Sequence, residues 1–254
     1  MPSNATAAAA AVEVPGAGVV DGRARLAVIT GSSSGIGLAV ATQLLAQGWQ
    51  VIGLQRGAPP IDHPAFRAVA VNLTDGEAVS RAARVVAEQS TPDALVHAAG
   101  VMRGGRLGEL PPEDAAQMWR LHVDAANRLA DALLPRMAAA GRGRVVLVGS
   151  RTAHGQPGKS AYAASKAALV SLARSWAAEV VDQGVTVNVV SPAATDTPML
   201  ADPARAGTAP KLPPMGRLIR PDEVAALITF LLSDAAAPIT GQEIQVCGGA
   251  SLPG

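Results

Sequence analysis

The chain contains one tyrosine, Tyr162, and three lysines, Lys159, Lys166 and Lys211. Tyr162 and Lys166 stand four residues apart in Tyr162-Ala163-Ala164-Ser165-Lys166. On a helix that spacing places a phenol and an ammonium on one face. A free phenol, with a pKa near ~10, is a poor base at neutral pH. A neighbouring cation stabilises the phenolate and lowers that value. The pair would then be an acid/base group usable near neutrality. Composition alone would produce such a pair in roughly 1% of cases, which sets it above an ordinary motif match. The alternative is an exposed helix face with no chemistry.

A second segment with chemical content is Thr30-Gly31-Ser32-Ser33-Ser34-Gly35-Ile36-Gly37. It separates the apolar run Leu26–Ile29 from a helical stretch, Ile36–Gln47, that Gly48 stops. Glycines allow a tight turn and close backbone approach to a phosphate. The helix start beyond offers unpaired N–H groups and the positive end of a dipole. Between strand and helix this reads as a dinucleotide-binding turn; a tight turn without a ligand is the alternative.

These groups need elements to position them. Apolar runs at 26–29, 51–54, 68–71, 94–96, 145–148, 185–190 and 244–246 read as strands. Helical patterns cover 36–47, 75–88 behind an Asp75 cap, 112–140 with a bend at Pro135, 160–182 and 221–232. The runs are continuous rather than alternating, as in a parallel sheet covered on both faces. Strand and helix alternate throughout, the pattern of an α/β, doubly wound, Rossmann-type fold with about seven parallel strands. Residues 24–254 are expected to form that single domain, including a substrate loop at 198–220. Its part from Ala201 to Pro214 is rich in alanine and proline. Residues 1–23 read as a flexible tail, with a swapped arm as the alternative.

Composition excludes other classes. Of 254 residues, 49% are apolar and 16% charged, which rules out a disordered chain. Lys+Arg is 21 against Asp+Glu 20, a net charge of +1, without the basic excess of a nucleic-acid-binding protein. A lone cysteine, Cys247, excludes an intrachain disulfide and a cysteine-based zinc cage, and no metal site is read. Cys247 is expected to be a buried, inert thiol. No apolar run is long enough to span a membrane, and a cytoplasmic location is expected.

The turn Thr-Gly-x-x-x-Gly-x-Gly, followed by Tyr-x-x-x-Lys, resembles the short-chain dehydrogenase/reductase family in its compact single-domain branch. The resemblance covers about Arg25 to Leu252. It implies an NAD(P)-dependent oxidoreductase that interconverts a ketone or aldehyde and an alcohol. Tyr162 would be the general acid/base, Lys166 would tune it and hold the nicotinamide ribose, and Ser150 would hydrogen-bond the reacting oxygen. Thr152 is a weaker candidate than Ser150, which lies twelve residues before Tyr162 where the family usually has thirteen. Cofactor contacts are implied for Gly31, Ser33, Ser34, Gly35, Ile36 and Gly37 in the turn. They are also implied for Asn72-Leu73 near the adenine, Ala98-Ala99-Gly100 after the fourth strand, and Pro192 and Thr197 after the sixth.

In such folds an acidic residue ending the second strand selects NAD, whereas a basic one accepts the 2′-phosphate of NADP. Here that position is Gln55, followed by Arg56. NADP(H) is therefore favoured over NAD(H); a plain surface arginine is the alternative. Two family asparagines are replaced, by His97 and by His122. Neutral, hydrogen-bonded histidines are one reading; a proton relay through His122 behind Lys166 is the other. His154 and, less so, Arg151 are expected to face substrate. The competing function is a non-catalytic dinucleotide-binding scaffold or sensor. Among enzymes, a 3-oxoacyl-carrier-protein reductase and a dehydrogenase of small cyclic alcohols or dihydrodiols are the alternatives. In the former, the basic residues that dock the carrier would fall on Gly141 and Gln183, with Arg142 and Arg144 close by. The resemblance implies a small-molecule carbonyl or alcohol substrate and a homotetramer or homodimer; from charge and apolar-run length, no nucleic-acid or membrane partner is expected.

Overall fold

The computed structural model describes residues 24–58, 60–202 and 211–252. The expected tail, 1–23, and residues 203–210 of the expected substrate loop lie outside these. Seven parallel strands form one sheet: β1 Leu26–Thr30, β2 Gln50–Gln55, β3 Phe66–Ala70, β4 Ala94–His97, β5 Gly143–Val148, β6 Val185–Pro192 and β7 Glu243–Val246. Their order is β3-β2-β1-β4-β5-β6-β7, and every pairing is parallel. The chain winds outward from β1 to β3, returns to β4 beside β1, and winds outward again. The crevice beyond the strand ends at that reversal is where this architecture places ligands.

Successive strand residues point to opposite faces, and both faces are covered. Leu26 and Val28 pack into the core beneath α2 Gly76–Gln89, α4 Ala125–Ala139 and α5 Ser160–Val180. Ala27 and Ile29 pack into the other core, with α1 Gly35–Ala46 and α6 Pro221–Leu231. That is why the strands read as unbroken apolar runs. Asp75 caps α2 as expected, its carboxylate accepting from the Ala78 N–H at 3.1 Å. Among the described residues no helix is long and apolar enough to cross a membrane.

The expected helix over 112–140 is not continuous. It consists of α3 Pro112–Trp119, a wide π-helical turn at Arg120–Asp124, and α4, which runs on through Pro135. The irregularity therefore falls at the turn carrying His122, and the proline lies within α4. Single π turns often mark functional sites, because the wider turn frees carbonyl groups from the helical ladder. Cys247 is only partly buried, against expectation. Burial pushes its thiol up, but hydrogen bonds from Ser251 and the backbone of 249–251 outweigh this and lower it.

Candidate active site

A cavity of about 760 Å³ opens over the ends of β1, β4, β5 and β6. Gly31, Ser33, Ser34, Gly35 and Ile36 line one end, together with Gln55, Arg56, Asn72 and Leu73. Ala98, Ala99 and Gly100 line its floor. Ser150, Arg151, Thr152, Tyr162 and Lys166 line the middle, with Pro192 and Thr197 opposite. Most of the residues singled out in the sequence thus share one cavity. Gly37, His97, His122 and His154 do not line it.

The glycine-rich turn is shaped by close approach. Gly31 has φ +70°, and a Cβ there would come within 2.9 Å of the Ala99 backbone. A Cβ on Gly37 would come within 2.3 Å of the Gly31 carbonyl oxygen. Gly37 therefore supports the turn from below. Ser34 precedes α1 without spending its hydroxyl on a cap, and it lines the cavity with Gly35 and Ile36 of the first helical turn. This cradle, with its free N–H groups, fits the pyrophosphate of a dinucleotide.

At the strand-two position Gln55 lines the cavity and is largely buried. That side chain is 2% exposed; its Oε1 accepts from Ser32 Oγ at 2.5 Å and its Nε2 donates to the Gly57 carbonyl at 3.0 Å. Gln55 thus braces the turn while lining the cavity, with a second N–H and a second oxygen lone pair beyond these bonds. Arg56 is exposed on the cavity wall. Asn72 Oδ1 accepts from both the N–H and the hydroxyl of Thr74, at 3.2 and 2.9 Å.

Tyr162 and Lys166 lie in the first two turns of α5, and both are buried. Lys166 Nζ sits 6.0 Å from the Tyr162 ring centroid and donates to the Val148 carbonyl at 2.8 Å. Burial lowers its pKa from the ordinary lysine value to about 7. Ser150 lies two residues beyond β5, at the cap of a 3-10 turn, with its Oγ 2.8 Å from Thr152 Oγ1. The short segment between Ser150 and Tyr162 closes through a 3-10 turn at Arg151–His154 and left-handed glycines at 155 and 158.

Two buried histidines lie behind the lysine, and their partners decide their tautomers. His122 Nε2 accepts from the Val101 N–H at 3.1 Å. Its proton is therefore on Nδ1, 2.8 Å from Ser165 Oγ, which in turn donates to the Tyr162 carbonyl at 2.8 Å. His97 Nε2 lies 3.1 Å from the Leu121 carbonyl, which can only accept, so this nitrogen carries the proton. His97 Nδ1 then accepts from Thr30 Oγ1 at 3.0 Å, and that oxygen accepts from the Ala99 N–H at 3.1 Å. Burial first, then the Lys166 charge, lowers His97 to about 3 and His122 well below its ordinary value. These partners and the lowered values favour the neutral form of both rings, and each ring nitrogen has a hydrogen-bond partner. Replacing His122 by asparagine is expected to lower the unfolding free energy by about 1–3 kcal/mol. The inflections of the pH–rate profile should stay in place. A displaced inflection with normal stability would restore the relay.

His154, expected to face substrate, points away. Its side chain is 64% exposed and lies 3.2 Å from Gln245 Nε2 and 3.7 Å from Glu243 Oε2 on β7. Arg151 lines the cavity but anchors the chain end, donating to the Ala250 carbonyl at 3.2 Å. Sequence reasoning missed several wall residues: Met102, Gln117, Gln156, Lys159, Met199 and Lys211. Only the scarcity of lysine marked two of them. It also missed the Arg103–Asp202 ion pair, 2.8 Å, which ties the loop after β4 to the segment after β6.

A family model described as enoyl-(acyl carrier protein) reductase matches residues 31–251. The chain is 38% identical over 238 residues to 2,3-dihydro-2,3-dihydroxybenzoate dehydrogenase of Escherichia coli K12, covering 88% of this chain and 96% of that protein. It is 36% identical over 236 residues to the 3-oxoacyl-[acyl-carrier-protein] reductase FabG of the same organism, covering 89% and 96%. Among solved structures, a short chain dehydrogenase/reductase family protein superposes with a TM-score of 0.80 at 35% identity, covering 89% of this chain and 96% of that one. A candidate NAD(P)-dependent gluconate 5-dehydrogenase from Beutenbergia cavernae, with NADP at low occupancy, gives 0.78 at 32%, covering 89% and 96%. With nearly full coverage from sequence and structure alike, the chain belongs to the short-chain dehydrogenase/reductase family, whose members related to it are oxidoreductases acting on CH–OH groups.

Proposed function

We propose that this protein is an NADP-dependent oxidoreductase that interconverts a small ketone and its secondary alcohol. The observation that carries the reading is the shared cavity of Ser150, Tyr162 and Lys166 with the glycine-rich turn and Arg56. The bound nicotinamide supplies or accepts the hydride. Tyr162 donates a proton to the carbonyl oxygen, or takes it from the hydroxyl in the reverse direction. Lys166, held by the Val148 carbonyl, places a positive charge beside the phenol and favours its ionised form. Ser150 donates a hydrogen bond to the oxygen on which charge develops. Thr152, within reach of Ser150 Oγ, orients that hydroxyl.

Arg56 supports NADP over NAD. It makes no hydrogen bond or ion pair among the described residues, and it stands at the cavity end that holds the glycine turn. A guanidinium pairs well with a 2′-phosphate. Fluorescence titration is expected to show NADPH binding tighter than NADH. Arg56→Ala should weaken NADPH about tenfold or more, since a charge-assisted bond contributes ~1.5–3 kcal/mol, and leave NADH unchanged. Equal affinities for the two dinucleotides in the parent protein would remove Arg56 from the argument.

A small substrate is favoured over a carrier-bound one. Gly141 and Gln183 offer no cation for an acidic carrier, and the neighbouring arginines are engaged. Arg142 binds Asp93 at 2.8 Å, and Arg144 donates to the Gly143 and Gly184 carbonyls at 2.8 and 3.1 Å.

A further inference from the structure

Lys166 is 3% exposed and yet lines the cavity. Among the described residues its Nζ donates to the Val148 carbonyl at 2.8 Å and pairs with no carboxylate. The groups that face it are Tyr162 on its own helix, the Val148 carbonyl of β5, His97 of β4 and His122 of the π turn. None of these is a carboxylate. A buried cation without a counter-ion gives up its proton more readily than an exposed one. Burial accordingly brings Lys166 to about 7.

A neutral amine carries a free electron pair on nitrogen and is a nucleophile towards carbonyl carbon. Arginine, the commoner cation of this chain, cannot play that part, because its guanidinium keeps its proton. Gly100 leaves the amine reachable. A Cβ there would come within 3.5 Å of Lys166 Nζ and 3.3 Å of His122 Nε2. With glycine at that place on the cavity floor, the approach to Nζ stays open.

We propose that Lys166 is also a covalent site: in the protein without dinucleotide it captures small aldehydes as an imine, so that aldehyde and dinucleotide exclude each other. The nitrogen pair attacks the carbonyl carbon, and one N–H proton moves to the oxygen to give a carbinolamine. The hydroxyl then leaves with the second N–H proton as water, and the C=N bond forms. No oxidant or reductant takes part, and water restores the amine and the aldehyde. Capture is separate from hydride transfer; only the exclusion by dinucleotide rests on the oxidoreductase reading.

The test treats the full chain at about pH 7 with millimolar propanal and cyanoborohydride, which reduces an imine to a stable secondary amine. Mass spectrometry then maps the adduct on Lys159, Lys166 and Lys211. An ordinary lysine, near ~10.4, is almost wholly protonated at that pH. Lys166 is therefore expected to carry at least about tenfold more adduct than either of the others. Saturating NADPH should suppress its labelling at least about tenfold. In the urea-unfolded chain the preference should vanish, because burial causes it. Adduct on Lys166 no greater than on the other two, a preference that survives unfolding, or undiminished labelling with NADPH bound would overturn the proposal. Failure of the oxidoreductase reading is seen separately, as absence of NADPH binding in the fluorescence titration. The labelling without NADPH still decides the capture in that case.

Discussion

Tyr162→Phe is expected to lower kcat about a thousandfold, within the range attributed to a positioned general acid or base. The change removes one oxygen and leaves the ring in place. That ring packs with Met102 and Met118 and meets the His122 imidazole edge-on, with centroids 5.7 Å apart. Fold and cofactor cradle should therefore survive, and NADPH affinity should stay within about threefold of the parent. Ser150→Ala, which removes a donor but no proton carrier, should cost less, on the order of a hundredfold. Steady-state rates with a panel of small ketones, beside NADPH titrations, check both. A Tyr162→Phe protein that keeps a tenth of its activity would show that the proton comes from elsewhere.

The protein should also lose stability as the pH falls from about 6.5, because it buries two neutral histidines. The unfolded chain binds a proton on each near the ordinary value of 6.5, whereas folded His97 does so only near 3, and folded His122 also well below 6.5. Between these values the unfolded state holds more protons, so stability is fully present above pH 6.5 and declines as pH falls through that window. At about pH 5 the loss from His97 is roughly 2 kcal/mol, and His122 adds to it in the same direction. Urea unfolding at about pH 7.5 and pH 5 measures it. The double variant His97→Asn/His122→Asn should start less stable and change far less between the two pH values. A variant that loses as much stability as its parent would place the acid sensitivity in the carboxylates.

Lys166 acts in the opposite part of the scale. Its folded value of about 7, lowered by burial from the ordinary 10.5, means that the unfolded chain binds more protons between the two. The protein without cofactor should therefore gain stability as pH rises from 7 towards 10. This shares its cause with the histidine effect: a polar cluster beneath the cavity is withdrawn from water so that its charges and hydrogen bonds act at full strength.

The sequence by itself determined the elements and the reaction class. Continuous apolar runs between amphipathic stretches leave a parallel sheet covered on both faces as the arrangement that buries them. The rarity of tyrosine and lysine isolates Tyr162 and Lys166, and glycine spacing between β1 and α1 marks the dinucleotide turn. These are local signals, carried by residue type and period. Only the tertiary structure decided what each polar side chain touches. Gln55 turned out to brace the turn because Ser32 and Gly57 lie within hydrogen-bond reach. His154 faces β7 because the 3-10 turn after Ser150 directs it outward. The histidines are neutral because the π turn at 120–124 and the loop after β4 supply fixed partners, a carbonyl for His97 and an N–H for His122. Such partners are distant in the chain, Leu121 from His97 and Ser165 from His122. A pattern of period two or 3.6 carries no information about them, and hydrogen-bond geometry at that range exists only once the sheet has brought the loops together.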